Sequence, residues 1–331
     1  MTSPRPRRDH QPSTPVPQPS ASHSGVPFVV CRPLLLTSDL RPPFSRRRAI
    51  VHPMNKIGVT YHPKSEAARS VAEEIRRRIA ATNVDVWVAS AWDDEMREEH
   101  VAESDLVICC GGDGTVLRAA RAVIPHPVTL LGVNLGRLGF LTEITPAELF
   151  ERLPDVLAGA GRVETRAMVQ TETLRAGEET AQHFHALNDA VVGRTAIGRT
   201  VQFTVRTDDT MLGSYRADGV IIATATGSTA YSLSVGGPIL HPESREIIVT
   251  PVAPHLAPAN SIVLPEGSRV EVQIAPRQSA ILSVDGEPDQ DLAGGDVVRV
   301  RMSQHTARFL RLGPPGEFYV RVGRRLNWLT E

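Results

Sequence analysis

Cysteine is scarce in this sequence: three residues in 331, two of them adjacent at Cys109 and Cys110. So few, so placed, make neither a disulfide framework nor the ligand spacing of a zinc site, and they fit a reducing cytoplasm. Long apolar runs are missing too. None approaches the ~18 residues of a membrane helix, and the nearest, Val26 to Leu36, is interrupted by Arg32 and Pro33, which also makes it a poor signal peptide. There is no G-x-x-x-x-G-K-[ST] loop, so Walker-type nucleotidases are excluded, and neither an H-E-x-x-H helix nor a G-x-S-x-G elbow occurs. Charge of one sign is not in excess: the net charge is −1, which gives no general reason to expect a nucleic-acid partner.

What charge asymmetry there is sits at the front. Residues 1–53 carry eight Arg, two acids and 11 of the 26 prolines, with little apolar periodicity. Such a composition cannot bury enough surface to offset chain entropy, so 1–53 reads as a disordered basic extension, and a chain opened at Met54 is expected to fold and work. From Asn55 to Tyr61 a first strand follows. Ala68, Val71, Ala72, Ile75 and Ile79 recur at helical spacing, and Asp85–Ala89 reads as a second strand. Asp93 to Glu103 reads as a solvated acidic helix face. Apolar runs at Leu106–Cys110 and Val128–Val133 complete an alternation of strands and helices, the signature of a parallel α/β sheet over residues 54–162. After Arg162 the pattern becomes short β-branched runs parted by turn residues: Met168–Leu174, His183–Leu187, Val201–Val205, Val220–Ala225, Val270–Ile274, Ala280–Val284, Val297–Val300 and Ala307–Leu312. That predicts a largely β domain over 163–312. The apolar and basic tail, 313–331, is expected to pack back on the first domain.

The chain is organised around Cys109-Cys110-Gly111-Gly112-Asp113-Gly114-Thr115. Strand, glycine turn and helix point free backbone N–H groups at a phosphate. Gly111, Gly112, Gly114 and Thr115 are the candidate phosphate loop, glycine admitting unusual backbone angles and close approach. Asp113 needs a separate reason, because a carboxylate repels phosphate; orienting a nucleophilic hydroxyl or holding a metal are the two available roles. Asn134 to Leu141 is a second glycine-rich segment at a strand end, where ligands of such sheets collect. In the second half, Asn188-Asp189 offers a donor, an acceptor and a carboxylate for a base edge and ribose hydroxyls. The run Thr224-Ala225-Thr226-Gly227-Ser228-Thr229-Ala230-Tyr231-Ser232-Leu233-Ser234 packs hydroxyls and small residues after an apolar strand, suited to a nucleotide's polar edges. His183 and His185 alternate along a strand and read as structural.

Taken together, Gly-Gly-Asp-Gly-Thr, Asn188-Asp189, Ala217-Asp218-Gly219, Thr226 to Ser234 and Gly236 to Pro242 resemble bacterial NAD kinases in kind and order. Gly-Gly-Asp-Gly-Thr by itself also occurs in diacylglycerol and sphingosine kinases and, in variant form, in phosphofructokinases. The resemblance spans about Asn55 to Trp328. It implies a Rossmann-like, phosphofructokinase-like first domain and ATP-dependent phosphorylation of the 2′-hydroxyl of NAD's adenosine ribose, with Mg²⁺ or another divalent metal accompanying ATP and no assignable protein ligands for it. It implies Asp113 as catalytic carboxylate and Gly114, Arg118, Phe140, Asn188, Asp189, Arg199, Arg216, Asp218, Thr226, Thr229, Ala230, Tyr231, Ser232, Leu233 and Ser234 around NAD. Asp218 would come from a neighbouring subunit of a homodimer or homotetramer. A lipid kinase sharing the glycine motif, and a nucleotide sensor without catalysis, are the alternatives.

The sequence departs from the family pattern at Ala225, where proline is usual, at Asp189, where glutamate is frequent, and in 254–260, which lacks an arginine often found there. Arg216, two residues before Asp218, resembles the pattern of ATP-restricted members; a guanidinium there would close the groove to inorganic polyphosphate.

Overall fold

The computed structural model describes residues 54–92, 98–136, 139–178, 181–287, 290–314 and 316–328; the expected extension at 1–53 and most of the acidic stretch after Trp92 lie outside them. The first half is β1 (Lys56–Tyr61), α1 (Glu66–Ala80), β2 (Asp85–Ser90), α2 (Glu98–Ala102), β3 (Leu106–Gly111), α3 (Asp113–Ala122), β4 (Thr129–Asn134) and α4 (Pro146–Leu157). The four strands are parallel in the order β2-β1-β3-β4. β3 and β4 are buried throughout, as strands covered on both faces must be, hence their uninterrupted apolar sequence. α1 starts where Ser65 accepts the Ala68 N–H at 3.2 Å and buries Ala68, Ala72, Ile75 and Ile79, four of the five positions its periodicity marks. α4 went unread in the sequence, although Thr145 and Glu148 form a capping box with Pro146 in the first turn.

The second half is antiparallel. It comprises β5 (Arg162–Leu174), β6 (Ala181–Ala186), β7 (Asp189–Gly193), β8 (Val201–Thr207), β9 (Thr210–Ala217), β10 (Gly219–Ala223), the single turn α5 (Tyr231–Ser234), β11 (Ile247–Val252), β12 (Ile262–Leu264), β13 (Arg269–Ile274), β14 (Ser279–Val284), β15 (Gln290–Ala293), β16 (Val297–Arg311) and α6 (Glu317–Arg325). β12-β11-β10-β7-β14-β15 form a six-stranded sheet whose inner face packs on β8, β13 and β16 through Val192, Ile222, Phe203, Val272 and Val298. Each such aliphatic or aromatic side chain contributes about 1.5–3 kcal/mol on burial.

The sequence reading splits 297–312 into two strands, and the structure corrects it to one. β16 pairs with β5 along its length and shifts register between Met302 and Thr306. Ser303, Gln304 and His305 break the apolar alternation there, so the chain bulges and then resumes pairing. This strand also joins the halves: Arg308 and Phe309 pair in parallel with Thr129 and Leu130 of β4, while Val297 to Arg301 pair antiparallel with β13. One ten-stranded sheet therefore runs through both halves.

Candidate active site

α3 begins at Asp113, inside the glycine turn, with Gly112 extended at its N-cap. None of Gly111, Gly112 and Gly114 has positive φ, so unusual backbone angles are not why glycine is present. A Cβ on Gly111 would lie 2.2 Å from Thr115 Oγ1, whereas a Cβ on Gly112 or Gly114 would meet nothing within 4 Å. Gly111 is a packing requirement; the other two leave open space at a helix N-terminus, where a ligand can reach the N–H groups. Burial pushes the thiols of Cys109 and Cys110 up, the latter to about 12, so both are inert fillers of the strand.

Asp113 reaches across to the segment after β4. Its carboxylate accepts the Phe140 N–H at 2.9 Å and the Leu141 N–H at 3.0 Å. A Cβ on Gly139 would land 2.0 Å from Asp113 Oδ1, so glycine there is a condition of this clamp. The two glycine-rich segments are thus joined through Asp113. The far side of the loop is held as firmly. Arg311 donates to the Leu141 carbonyl at 3.3 Å, and Arg321 of α6 donates to the Thr142 carbonyl at 2.6 Å. Glu143 accepts from both arginines, at 3.0 and 2.9 Å, and from the Leu312 and Gly313 N–H groups. Glu164 accepts from Arg166 and Arg311. Burial would raise these two glutamates, but the arginine charges and hydrogen bonds hold both below the usual carboxylate range, Glu164 at about 2. Burial brings Arg166 down to about 10, while Glu164 and Asp113 support its charge. Phe140 is buried, with the Arg325 guanidinium 4.6 Å above its ring.

A second group of residues gathers at the edge formed by the ends of the interior strands β7, β10 and β14, where Ala223 pairs with Asp189 and Val284 with Ala190. Asn188 lies in the joint between β6 and β7, and Asp189 opens β7. The Thr224-to-Gly227 turn packs directly on that joint. Thr224 N donates to the Asn188 carbonyl at 2.9 Å, Thr224 Oγ1 donates to the Leu187 carbonyl at 2.5 Å, and a Cβ on Gly227 would lie 2.1 Å from Asn188 O. The hydroxyl-rich run divides in use. Thr224, Ser228, Thr229, Ser232 and Ser234 spend hydroxyls within the protein, Tyr231 is exposed, and Thr226 Oγ1 is buried without a partner. An unsatisfied buried hydroxyl costs about 1–3 kcal/mol, so Thr226 is where an incoming donor would be compensated.

Asp285 was missed in the sequence, though Asp285-Gly286 after an apolar strand is a hairpin signal; both have positive φ. Its carboxylate accepts from the N–H groups of Leu187, Asn188 and Asp189 at 2.8, 2.7 and 3.2 Å. Burial, then the neighbouring Asp285 charge, push Asp189 up to about 7. Burial raises Asp285 as well, against the three N–H groups and Arg121. With those donors Asp285 is the better placed to hold the negative charge, and Asp189 the proton. α3 is tied to this edge: Arg121 donates to the Val284 carbonyl at 3.1 Å, and Arg121 and Arg118 both pair with Glu287, the latter at 2.8 Å.

Arg199, Arg216 and Asp218 are brought together elsewhere. They line a groove of about 670 Å³ with Arg194 and His255, where Arg194 pairs with Asp218 at 3.2 Å and Arg216 donates to Thr200 Oγ1 at 2.9 Å. β10 separates them from Thr224; at ~3.3 Å per residue that is roughly 20 Å. Within one chain this groove does not meet the Asn188 edge.

The family model described as ATP-NAD kinase N-terminal domain matches residues 30–161, beginning inside the stretch 1–53, and the ATP-NAD kinase C-terminal domain matches 187–312. The NAD kinase of Dehalococcoides mccartyi strain CBDB1 is 38% identical over 276 residues, covering 83% of this chain and 97% of that protein. The chain belongs to the NAD kinase family. The NAD kinase of Chloroflexus aggregans is 40% identical over 274 residues, 83% of this chain and 99% of its own length. Among solved structures, yeast NADH kinase complexed with NADH superposes with a TM-score of 0.76 at 25% identity, covering 85% of this chain and 89% of that one. The Archaeoglobus fulgidus NAD kinase in complex with ATP shares the fold, with a TM-score of 0.65 at 23% identity over 83% of this chain and all of that one. The NAD kinase fold thus accounts for the α/β sheet and the antiparallel second half together; a lipid kinase or a sensor finds no support among these relatives.

Proposed function

We infer that this chain is an NAD kinase, moving the γ-phosphoryl group of ATP to the 2′-hydroxyl of NAD's adenosine ribose. The observation that carries this is Asp113: the carboxylate of the family's glycine motif is held by two backbone N–H groups from the neighbouring loop, and the residue stands between Gly112 and Gly114, where an added Cβ would meet nothing within 4 Å. A carboxylate offers about four acceptor sites, and the clamp leaves capacity for a hydroxyl. In the reaction the β–γ bridging oxygen leaves phosphorus as ADP, the ribose oxygen forms the new P–O bond, and the hydroxyl proton is lost. Because the transition state is loose, little proton removal is needed before bond making. Asp113 therefore orients the hydroxyl in line and accepts its proton late.

On this reading 54–162 serves the phosphoryl donor, 163–312 serves NAD, and 313–331 braces the catalytic loop. Asn188, Asp189, Thr226 and the residues from Thr229 to Ser234 receive the adenosine, with Gly114, Arg118 and Phe140 nearby. A protonated Asp189 would donate to a ribose or base acceptor. Among the described residues no group of three or more His, Cys, Asp or Glu could hold a metal ion, so the divalent metal belongs to the donor, as MgATP, and no step is assigned to protein ligands. Arg199, Arg216 and Asp218 act from a second copy of the chain in a homodimer or homotetramer, since their groove lies at the far end of β10. The same distance means that Arg216 would restrict the donor to ATP only across that interface. No helix among the described residues is long and apolar enough to cross a membrane, and the cytoplasm is the proposed location.

The test is purified protein with MgATP and NAD, with NADP read by an NADP-specific dehydrogenase. Turnover is the expected result; ATP-dependent phosphorylation of a lipid instead, or nucleotide binding without product, would overturn the reading.

A further inference from the structure

Asp285-Gly286-Glu287 turns the chain after β14, and the turn is tight: the Glu287 N–H donates to the Val284 carbonyl at 3.0 Å. Asp285 and Gly286 both have positive φ, 51° and 71°, the backbone of a hairpin whose central pair is Asn-Gly or Asp-Gly. Turning the chain therefore requires neither carboxylate. Asparagine would serve at 285 as well as aspartate, and Glu287 stands outside the central pair. Both carboxylates are nonetheless engaged, each with a different part of the molecule.

Asp285 holds the joint that leads into β7. Its Oδ2 accepts the Leu187 N–H and its Oδ1 accepts those of Asn188 and Asp189, while its own N–H donates to the Asp189 carbonyl at 3.0 Å. Three successive N–H groups converging on one carboxylate fix the backbone direction of all three residues. An asparagine offers a single acceptor oxygen and would turn its NH₂ towards a donor. Glu287 holds α3. Its Oε1 pairs with Arg118 at 2.8 Å and with Arg121, and Arg121 is also bonded to the Val284 carbonyl. Arg118 and Arg121, spaced i and i+3, share one face of the helix. Their side chains are 28% and 19% exposed, so the contact is better shielded than an ordinary surface pair. The same helix carries Asp113 in its first turn, roughly 12 Å from Arg121 along the axis at 1.5 Å per residue.

We propose that Asp285 and Glu287 are positioning residues for the phosphoryl transfer: one turn fixes the Asn188–Asp189 joint through its first carboxylate and α3 through its second, and so sets how far the adenosine side stands from Asp113. The proposal rests on the kinase reading above and adds what holds the two sides of that site in register. No bond to either residue forms or breaks in the reaction. In-line transfer is sensitive to such spacing, since a misplacement of about 1 Å costs on the order of 10²-fold in rate. A residue that acts this way moves kcat more than the binding of either substrate.

The test compares Glu287→Ala, Glu287→Gln, Asp285→Asn and the double variant Asp285→Asn/Glu287→Ala in the full chain, by steady-state kinetics and thermal melting. Glu287→Ala is expected to lower kcat about tenfold or more, with KM for NAD and for MgATP each within about twofold. Glu287→Gln keeps an oxygen for the two guanidinium groups and should recover most of the loss. Asp285→Asn should lower kcat and also raise KM for NAD several-fold, because the joint itself loosens. In the double variant the loss should fall short of the product of the single losses, as expected of two residues acting through one turn. A kcat within about twofold of wild type in folded Glu287→Ala overturns the proposal. So do single losses that multiply, and so does a loss that follows the melting temperature and disappears where the variant is fully folded. If Glu287→Ala does not fold, Glu287→Asp decides: it keeps the charge on a side chain one methylene shorter, and an unchanged kcat there overturns the proposal. Absence of NADP formation by the wild type would defeat the kinase reading instead.

Discussion

α3 meets two clusters of buried carboxylates built in opposite ways. On the loop side, Glu143 and Glu164 are surrounded by Arg166, Arg311 and Arg321, and both stay ionised although their side chains are only 4–5% exposed. On the sheet-edge side, Asp189 and Asp285 have backbone N–H groups and each other, and burial drives both upward. Burial with unequal arginine supply shifts the two clusters in opposite directions. The first cluster is a fixed scaffold behind Asp113. The second holds a proton that it can release near neutral pH, beside the residues assigned to adenosine.

The sharpest way to separate scaffold from chemistry is Asp113→Asn. It keeps the size of the side chain and removes its charge, and kcat should fall by roughly 10²–10⁴ with KM for NAD little changed. Near-normal turnover would remove Asp113 from the mechanism. Glu164→Gln probes the scaffold itself, leaving Arg166 and Arg311 buried without their shared charge; a loss of about 3–5 kcal/mol in urea unfolding is expected. A shift below 1 kcal/mol would mean the arginines rearrange freely.

The two clusters also predict pH dependences of opposite sign. Asp189 has a folded pKa of about 7 against an ordinary value near ~3.9. It binds its proton more tightly in the native state, so its stabilisation is complete below about pH 4 and is lost as pH rises through 7. Glu164, held at about 2, contributes stability above about pH 4.3 that is lost as pH falls through 2. Asp189→Asn should flatten the decline between pH 4 and 7, roughly 2–4 kcal/mol, and leave the acid limb unchanged. Chemical denaturation across pH checks this, and an unaltered upper limb would refute the assignment of the proton to Asp189. The smallest effect is expected for Arg321→Lys, which loses the forked contacts to Thr142 and Glu143. About 1–2 kcal/mol of stability and a several-fold drop in kcat should follow, with KM values unmoved; altered KM for NAD would place α6 in substrate binding.

Local chemistry made much of this legible. β3 and β4 are continuous apolar runs because they are covered on both faces, α1 shows its periodicity because one stripe faces the core, and glycines around one acid mark a turn at a strand end. Less visible were elements whose stabilisation is not local. β9 is largely exposed on one face and lacks a strong apolar pattern, β11 runs through Pro251, and the bulge in β16 has meaning only against its partner strands.

Residue types and their spacing by themselves determined the parallel sheet, the β-rich second half, the Gly-Gly-Asp-Gly-Thr turn and the family likeness, because each follows from contacts a few residues apart. Tertiary structure alone decided that Asp113 clamps Phe140 and Leu141, that Asp285 caps the Asn188 joint, that five arginines and glutamates far apart in the chain brace one loop, and that Asp218 lies away from Asn188. Those pairings join residues from 27 to about 180 positions apart. Only the register of β4, β16, β7 and β14 brings them together, and register is a property of the assembled sheet.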